Sequence, residues 1–88
     1  MNCVYILRSL KNNKFYIGST NDFERRFEEH NRGCSKFTRE NGPFEKVFIQ
    51  EYNDIIEARK IEYKLKSFKN RKIIEKIIKD KVIKTLTS

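Results

Sequence analysis

Apolar positions along this chain follow two periods. Val4 to Arg8 is a β-branched and aromatic run, and Phe15-Tyr16-Ile17 is a second one, with Ser9-Leu10-Lys11-Asn12-Asn13-Lys14 between them. The spacing predicts a β-hairpin, and Asn12-Asn13 suits its tip because asparagine tolerates positive φ. Side chains alternate across a strand, so Tyr5 shares a face with Cys3 and Leu7, and Tyr16 opposes Phe15 and Ile17. Gly18 ends the second run, where a backbone or ligand can approach closely. The period then lengthens. Ser19-Thr20-Asn21 is expected to cap a helix over residues 22–32, with Phe23, Phe27 and His30 on one face, Arg26 flanking it, and Arg25 and Arg32 turned away.

Residues 33–43 carry Gly33, Ser35, Asn41, Gly42 and Pro43 and read as a loop. Lys36, Thr38 and Arg39 within it form a basic, hydroxyl-bearing set able to contact phosphates; a solvated connector explains them equally well. Phe44 to Tyr52 reads as a third strand, although its alternation breaks at Val47-Phe48-Ile49. Asn53 or Asp54 caps a helix over residues 55–68, with Ile55, Ala58, Ile61, Leu65 and Phe68 as its apolar arc. Asn70 caps a last helix through Ile73, Ile74, Ile77 and Ile78, with Lys72, Lys76 and Lys79 on its other side. The expected fold is α+β: a three-stranded antiparallel sheet flanked by helices, in the order β-β-α-β-α-α. The domain is expected to span residues 1–81, with 82–88 a tail from which Val82, Ile83 and Leu86 can dock.

Glu62 falls inside the apolar arc of the 55–68 helix, between Ile55 and Ala58 in angle. Removing an ionised carboxylate from water is costly unless a cation or strong donors compensate. A buried ion pair, a protonated acid and a metal ion all remain open for it.

Composition narrows the partners. Among 88 residues, 38% are hydrophobic and 36% charged, which suits one domain with one modest core. Twenty Lys and Arg against twelve Asp and Glu leave a net charge of +8, favouring a polyanionic partner and above all nucleic acid. No run approaches the roughly 18 apolar residues of a membrane span, and none has the layout of a signal peptide, so a cytoplasmic protein is expected. Cys3, Cys34 and the single histidine, His30, are too few for a structural zinc site, and both thiols fit a reduced compartment.

Cys3-Val4-Tyr5 followed by Tyr16-Ile17-Gly18 resembles the signature of the GIY-YIG nuclease superfamily, with only the tyrosine of the first triplet kept. Val4-Tyr5-Ile6-Leu7, Tyr16-Ile17-Gly18-Ser19-Thr20, Glu24-Arg25-Arg26-Phe27, Glu29-His30-Asn31 and Ser35-Lys36-Phe37-Thr38-Arg39 resemble its small stand-alone bacterial members. The likeness runs from about residue 3 to 80. It implies metal-assisted hydrolysis of a phosphodiester. Tyr5 and Tyr16 match the paired tyrosines, one of which helps activate or orient the attacking water. Arg26 matches the arginine that stabilises charge on the scissile phosphate, and His30 a position often held by His or Tyr. Glu62 matches the glutamate that holds a single divalent ion, usually Mg²⁺ or Mn²⁺. Asn70 is the candidate for an asparagine that many members carry after the glutamate-bearing helix. Ser19 departs from the pattern, standing where many members have lysine.

Together these readings point to a metal-dependent endonuclease acting on DNA, single-stranded or branched, in repair or recombination, with a repair protein as a conceivable partner. The alternative is a nucleic-acid-binding module that retains the fold without turnover. With a single domain, affinity is expected to rest on the basic surface and to be salt-sensitive.

Overall fold

The computed structural model describes residues 1–81. The expected tail, with Val82, Ile83 and Leu86, lies outside the described residues. Strand β1 (Asn2–Ser9) pairs antiparallel with β2 (Phe15–Thr20) on one side and with β3 (Phe44–Tyr52) on the other, giving the order β2-β1-β3. The hairpin tip closes through Ser9 N donating to Lys14 O at 2.8 Å, and Asn13 takes φ 62°, the left-handed conformation that asparagine accepts.

The broken alternation in β3 has a structural cause. Ile6 faces Phe48 but Leu7 faces Lys46, so Val47 is an extra residue bulged out of the ladder. The bulge resets which side chains point to which face, and a simple period-2 reading fails there.

Helices cover both faces of the sheet, and β1 is therefore buried throughout Cys3–Leu7. Helices α3 (Ile55–Phe68) and α4 (Arg71–Asp80) cover one face, where Val4, Ile6, Phe48, Ala58, Leu65, Ile74 and Ile77 form the larger core. Helix α1 (Phe23–Asn31) covers the other, packing Phe23 against Cys3, Tyr5, Leu7 and Phe44, with Tyr16, Phe27 and Ile49 at the edges. The side chains of β1 thus divide by parity, even-numbered toward α3 and α4, odd-numbered toward α1.

Two local expectations change. Asp22, rather than Ser19-Thr20-Asn21, caps α1, accepting from Arg25 N, while Asp54 caps α3. Residues 33–43 are not loop throughout: Lys36–Asn41 form a short helix, α2, which makes the helical order one element longer than expected. A reciprocal capping box starts it, with Ser35 Oγ accepting from Thr38 N at 3.3 Å and Thr38 Oγ1 accepting from Ser35 N at 3.1 Å. Serine and threonine in that stretch read as loop residues, but their spacing of three is also that of a helix start. Cys3 is buried, Cys34 is exposed, and both are free thiols.

Candidate active site

Tyr5 is the middle of the central strand, and its ring runs outward across the neighbouring strand. It does so over Gly18, its cross-strand partner, where a Cβ would lie 2.3 Å from the Tyr5 hydroxyl and 2.5 Å from Cζ. Only glycine leaves the phenol room to reach the edge of the sheet. The hydroxyl there meets His30 Nε2 at 2.9 Å. His30 is held by the helical spacing that also buries Phe23, and the Tyr16 ring packs edge-on against the imidazole at a centroid distance of 4.6 Å. The Arg26 guanidinium, half-exposed one turn before His30, lies against the Tyr5 hydroxyl and also meets Glu29 at 3.4 Å.

Electrostatics set the protonation states of this group. Burial pushes the Tyr5 phenol up to about 12, with Arg26 opposing the rise, so Tyr5 stays protonated at neutral pH. Burial, with the positive charge of Arg26 added, holds His30 below its ordinary 6.5. A neutral imidazole has one acceptor nitrogen, and the protonated phenol has one proton to give, so Tyr5 donates to His30 Nε2. The sign of the resulting pH dependence follows. Well above pH 6.5 His30 is neutral in folded and unfolded chains alike; as pH falls through 6.5 the unfolded chain takes up a proton more readily, and stability falls as pH drops toward the lowered folded value. His30→Gln is expected to remove that part of the acid limb, read as the difference in urea midpoint between wild type and variant across about pH 5 to 8.

Glu62 reaches the same edge from the opposite face. Its carboxylate accepts from the Ser19 hydroxyl, next to Gly18 in β2, and pairs with Lys66 Nζ at 2.6 Å. The ion pair foreseen among the compensations for a carboxylate in that arc is thus formed, joined by a hydroxyl donor. Its negative charge is felt at the Tyr5 hydroxyl. Because β2 is an edge strand, Tyr5, Tyr16, Arg26 and His30 come to it over one face and Glu62 over the other.

The remaining sequence candidates separate. Lys36 and Arg39 are exposed on α2, but Thr38 is 2% exposed and its hydroxyl is taken up by the capping box and by Ser35 O. The phosphate-contacting set therefore loses Thr38, because the helix start that fixes α2 turns that side chain inward. Asn70 accepts from Lys72 N at 2.9 Å as the cap of α4, and it also lines a cleft of about 360 Å³ between β2 and the α3–α4 turn. That cleft brings Tyr16 together with Lys66, Lys69 and Arg71. These three cations were not singled out in the sequence. Lys66 lies one turn from Glu62, Lys69 follows the end of α3 and Arg71 opens α4, so proximity to Glu62 and Asn70 was the available signal. Phe37 was also missed; its ring packs 5.3 Å from that of Tyr16.

One carboxylate with a hydroxyl beside it suits a hard divalent cation that keeps most of its waters, as Mg²⁺ does. Among the described residues no three His, Cys, Asp or Glu side chains gather as a ligand cage. The donor set fits a cation shared with substrate and does not fit a structural metal.

Comparison with known proteins gives a consistent result. A family profile described as the GIY-YIG catalytic domain matches residues 1–80. The UPF0213 protein CPE1444 of Clostridium perfringens is 40% identical over 86 residues, covering 96% of this chain and 89% of its own. The UPF0213 protein OB0043 of Oceanobacillus iheyensis is 38% identical over 76 residues, covering 82% and 87%. The solution NMR structure of the UPF0213 protein BH0048 from Bacillus halodurans superposes with a TM-score of 0.54 at 34% identity, covering 86% of this chain and 81% of that one.

Proposed function

The chain belongs to the GIY-YIG catalytic-domain family, which supports a nuclease-type function, and on that premise we propose that it is a divalent-metal-dependent endonuclease hydrolysing DNA phosphodiester bonds. Single-stranded or branched DNA, of the kind that repair and recombination produce, is the proposed substrate. The observation that carries the reading is the convergence at the Gly18–Ser19 edge of a protonated phenol, a neutral imidazole, a guanidinium and a carboxylate. A binding surface alone has no use for a buried phenol–imidazole pair beside a carboxylate.

In this reading Tyr5 is a relay. A phenol held near 12 is a poor base by itself, but it already donates its proton to His30 Nε2. As a water attacks phosphorus, its proton passes to the Tyr5 oxygen while the Tyr5 proton moves to His30, leaving an imidazolium and a neutral phenol. The bond from phosphorus to the leaving oxygen breaks, and that oxygen is reprotonated from solvent. Arg26, half-exposed beside the phenol, binds the charge that builds on the non-bridging oxygens. Tyr16 holds the imidazole ring edge-on and faces the cleft. Glu62 and Ser19 would hold the divalent ion, which when bound supplies positive charge to the phosphate. Lys66, Lys69 and Arg71 take the flanking phosphates, so affinity falls steeply with salt.

The test is cleavage of labelled single-stranded, duplex and branched DNA with Mg²⁺, with Mn²⁺ or with EDTA. Cleavage that requires metal is expected. Arg26→Ala is expected to lower kcat about 10²–10³-fold with affinity nearly unchanged, because one phosphate contact is a small part of the total charge interaction. Binding without cleavage under every condition would replace this reading with that of a binding module.

A further inference from the structure

We propose that the outward face of α3 is a track for an unpaired nucleic-acid strand, with Tyr63 as a base-stacking platform. Ile56, Arg59, Lys60, Tyr63 and Lys64 recur at the spacing of a single helical stripe and line a shallow groove of about 480 Å³. The stripe faces away from both cores. Ile56 is 63% and Tyr63 76% exposed, in a protein whose other aromatic rings pack against its own elements.

The chemistry of the groove selects its occupant. It carries three cations and no carboxylate, so it favours a polyanion. Two apolar side chains are too few to seat a helix on a lipid surface, which takes a whole apolar face. A flat ring between cations is instead what a single strand requires: the cations follow the backbone and the ring takes a base. A duplex keeps its base faces stacked inside and cannot use the ring.

The groove is also placed to continue the cleavage site. Arg59 lies one turn before Glu62, and seven residues before Lys66, so it shares the face of the Glu62–Lys66 pair. From the β2 edge, positive charge thus continues through Lys66 and Arg59 to Tyr63. This inference rests on the nuclease reading for its direction but not for its test, which measures binding.

The experiment is fluorescence anisotropy of labelled oligo(dT) and of a duplex of equal length, in EDTA. Tyr63→Ala is expected to weaken oligo(dT) binding about tenfold and to leave duplex binding unchanged, while Tyr63→Phe restores the wild-type value. Replacing Arg59, Lys60 and Lys64 together with glutamine is expected to reduce the salt slope for single strands by about 2. Wild-type oligo(dT) affinity in Tyr63→Ala, or an equal loss on both nucleic acids, overturns the proposal. So does capture of wild type by phosphatidylserine–phosphatidylcholine vesicles that Tyr63→Ala abolishes with DNA affinity intact, which would make the face a lipid surface. Metal-dependent cleavage with Tyr63-independent binding rejects the track and keeps the nuclease. Tyr63-dependent binding without cleavage does the reverse.

Discussion

Glu62→Gln is expected to fold normally, bind DNA at least as tightly as wild type, and cleave about a thousandfold more slowly or not at all. Glutamine keeps the volume and can still meet the Ser19 hydroxyl, so the packing of α3 on β2 survives. The Lys66 partner is half-exposed, and an i,i+4 pair of that kind is worth about 0.5 kcal/mol or less. The net charge of +8 rises by one, which strengthens attraction to phosphate. What the substitution is expected to remove is the proposed hold on a divalent cation at the β2 edge. Single-turnover cleavage and anisotropy on the same preparation separate these effects. A variant that cuts at the wild-type rate would remove Glu62 from the site.

Gly18→Ala is expected to damage the protein through Tyr5. The new Cβ would stand 2.3 Å from the phenolic oxygen, and the ring cannot easily yield: it is 1% exposed, bonded to His30, and edge-packed on Phe23 at 5.4 Å. Overpacking of this kind costs about 1–3 kcal/mol, and displacing the hydroxyl is expected to lower turnover about 10²-fold or more. Tyr5→Phe isolates the second effect. It keeps the ring and removes the relay, for an expected 10²–10⁴-fold loss, with about 1–3 kcal/mol of stability lost because the buried His30 nitrogen is left without a donor. If Gly18 acts through the Tyr5 hydroxyl, adding Gly18→Ala to Tyr5→Phe lowers activity little further. Wild-type turnover in Gly18→Ala would separate Tyr5 from catalysis.

Much of the architecture was legible because local rules and the fold agree. The hairpin, the third strand and the three longer helices follow from period, caps and turn residues, and Asn13 occupies the conformation its position at the tip suggested. Phe23, Phe27 and His30 share the buried side of α1, as their spacing requires. The failures also have local causes. Helix α2 is only six residues long, too short for a hydrophobic period to register, and only its capping box marks it. The β3 bulge appeared as noise in the alternation because one inserted residue reverses every side chain beyond it.

By itself, the sequence determined which face of its own element each proposed site residue occupies: Tyr5 on the strand face of Cys3 and Leu7, His30 on the apolar side of α1 with Arg26 flanking it, Glu62 within the arc of α3. Periodicity is a property of one element, and it stops at that element's ends. Tertiary structure decided that these faces meet. It placed β1 in the centre and β2 at the edge, laid the Tyr5 ring over Gly18 to reach that edge, and brought Glu62 around it from the opposite layer. It also turned Thr38 inward and gathered Lys66, Lys69 and Arg71 beside Tyr16. Strand order and layer assignment depend on contacts between residues far apart in the chain, where burial of two apolar faces on one strand outweighs any local preference.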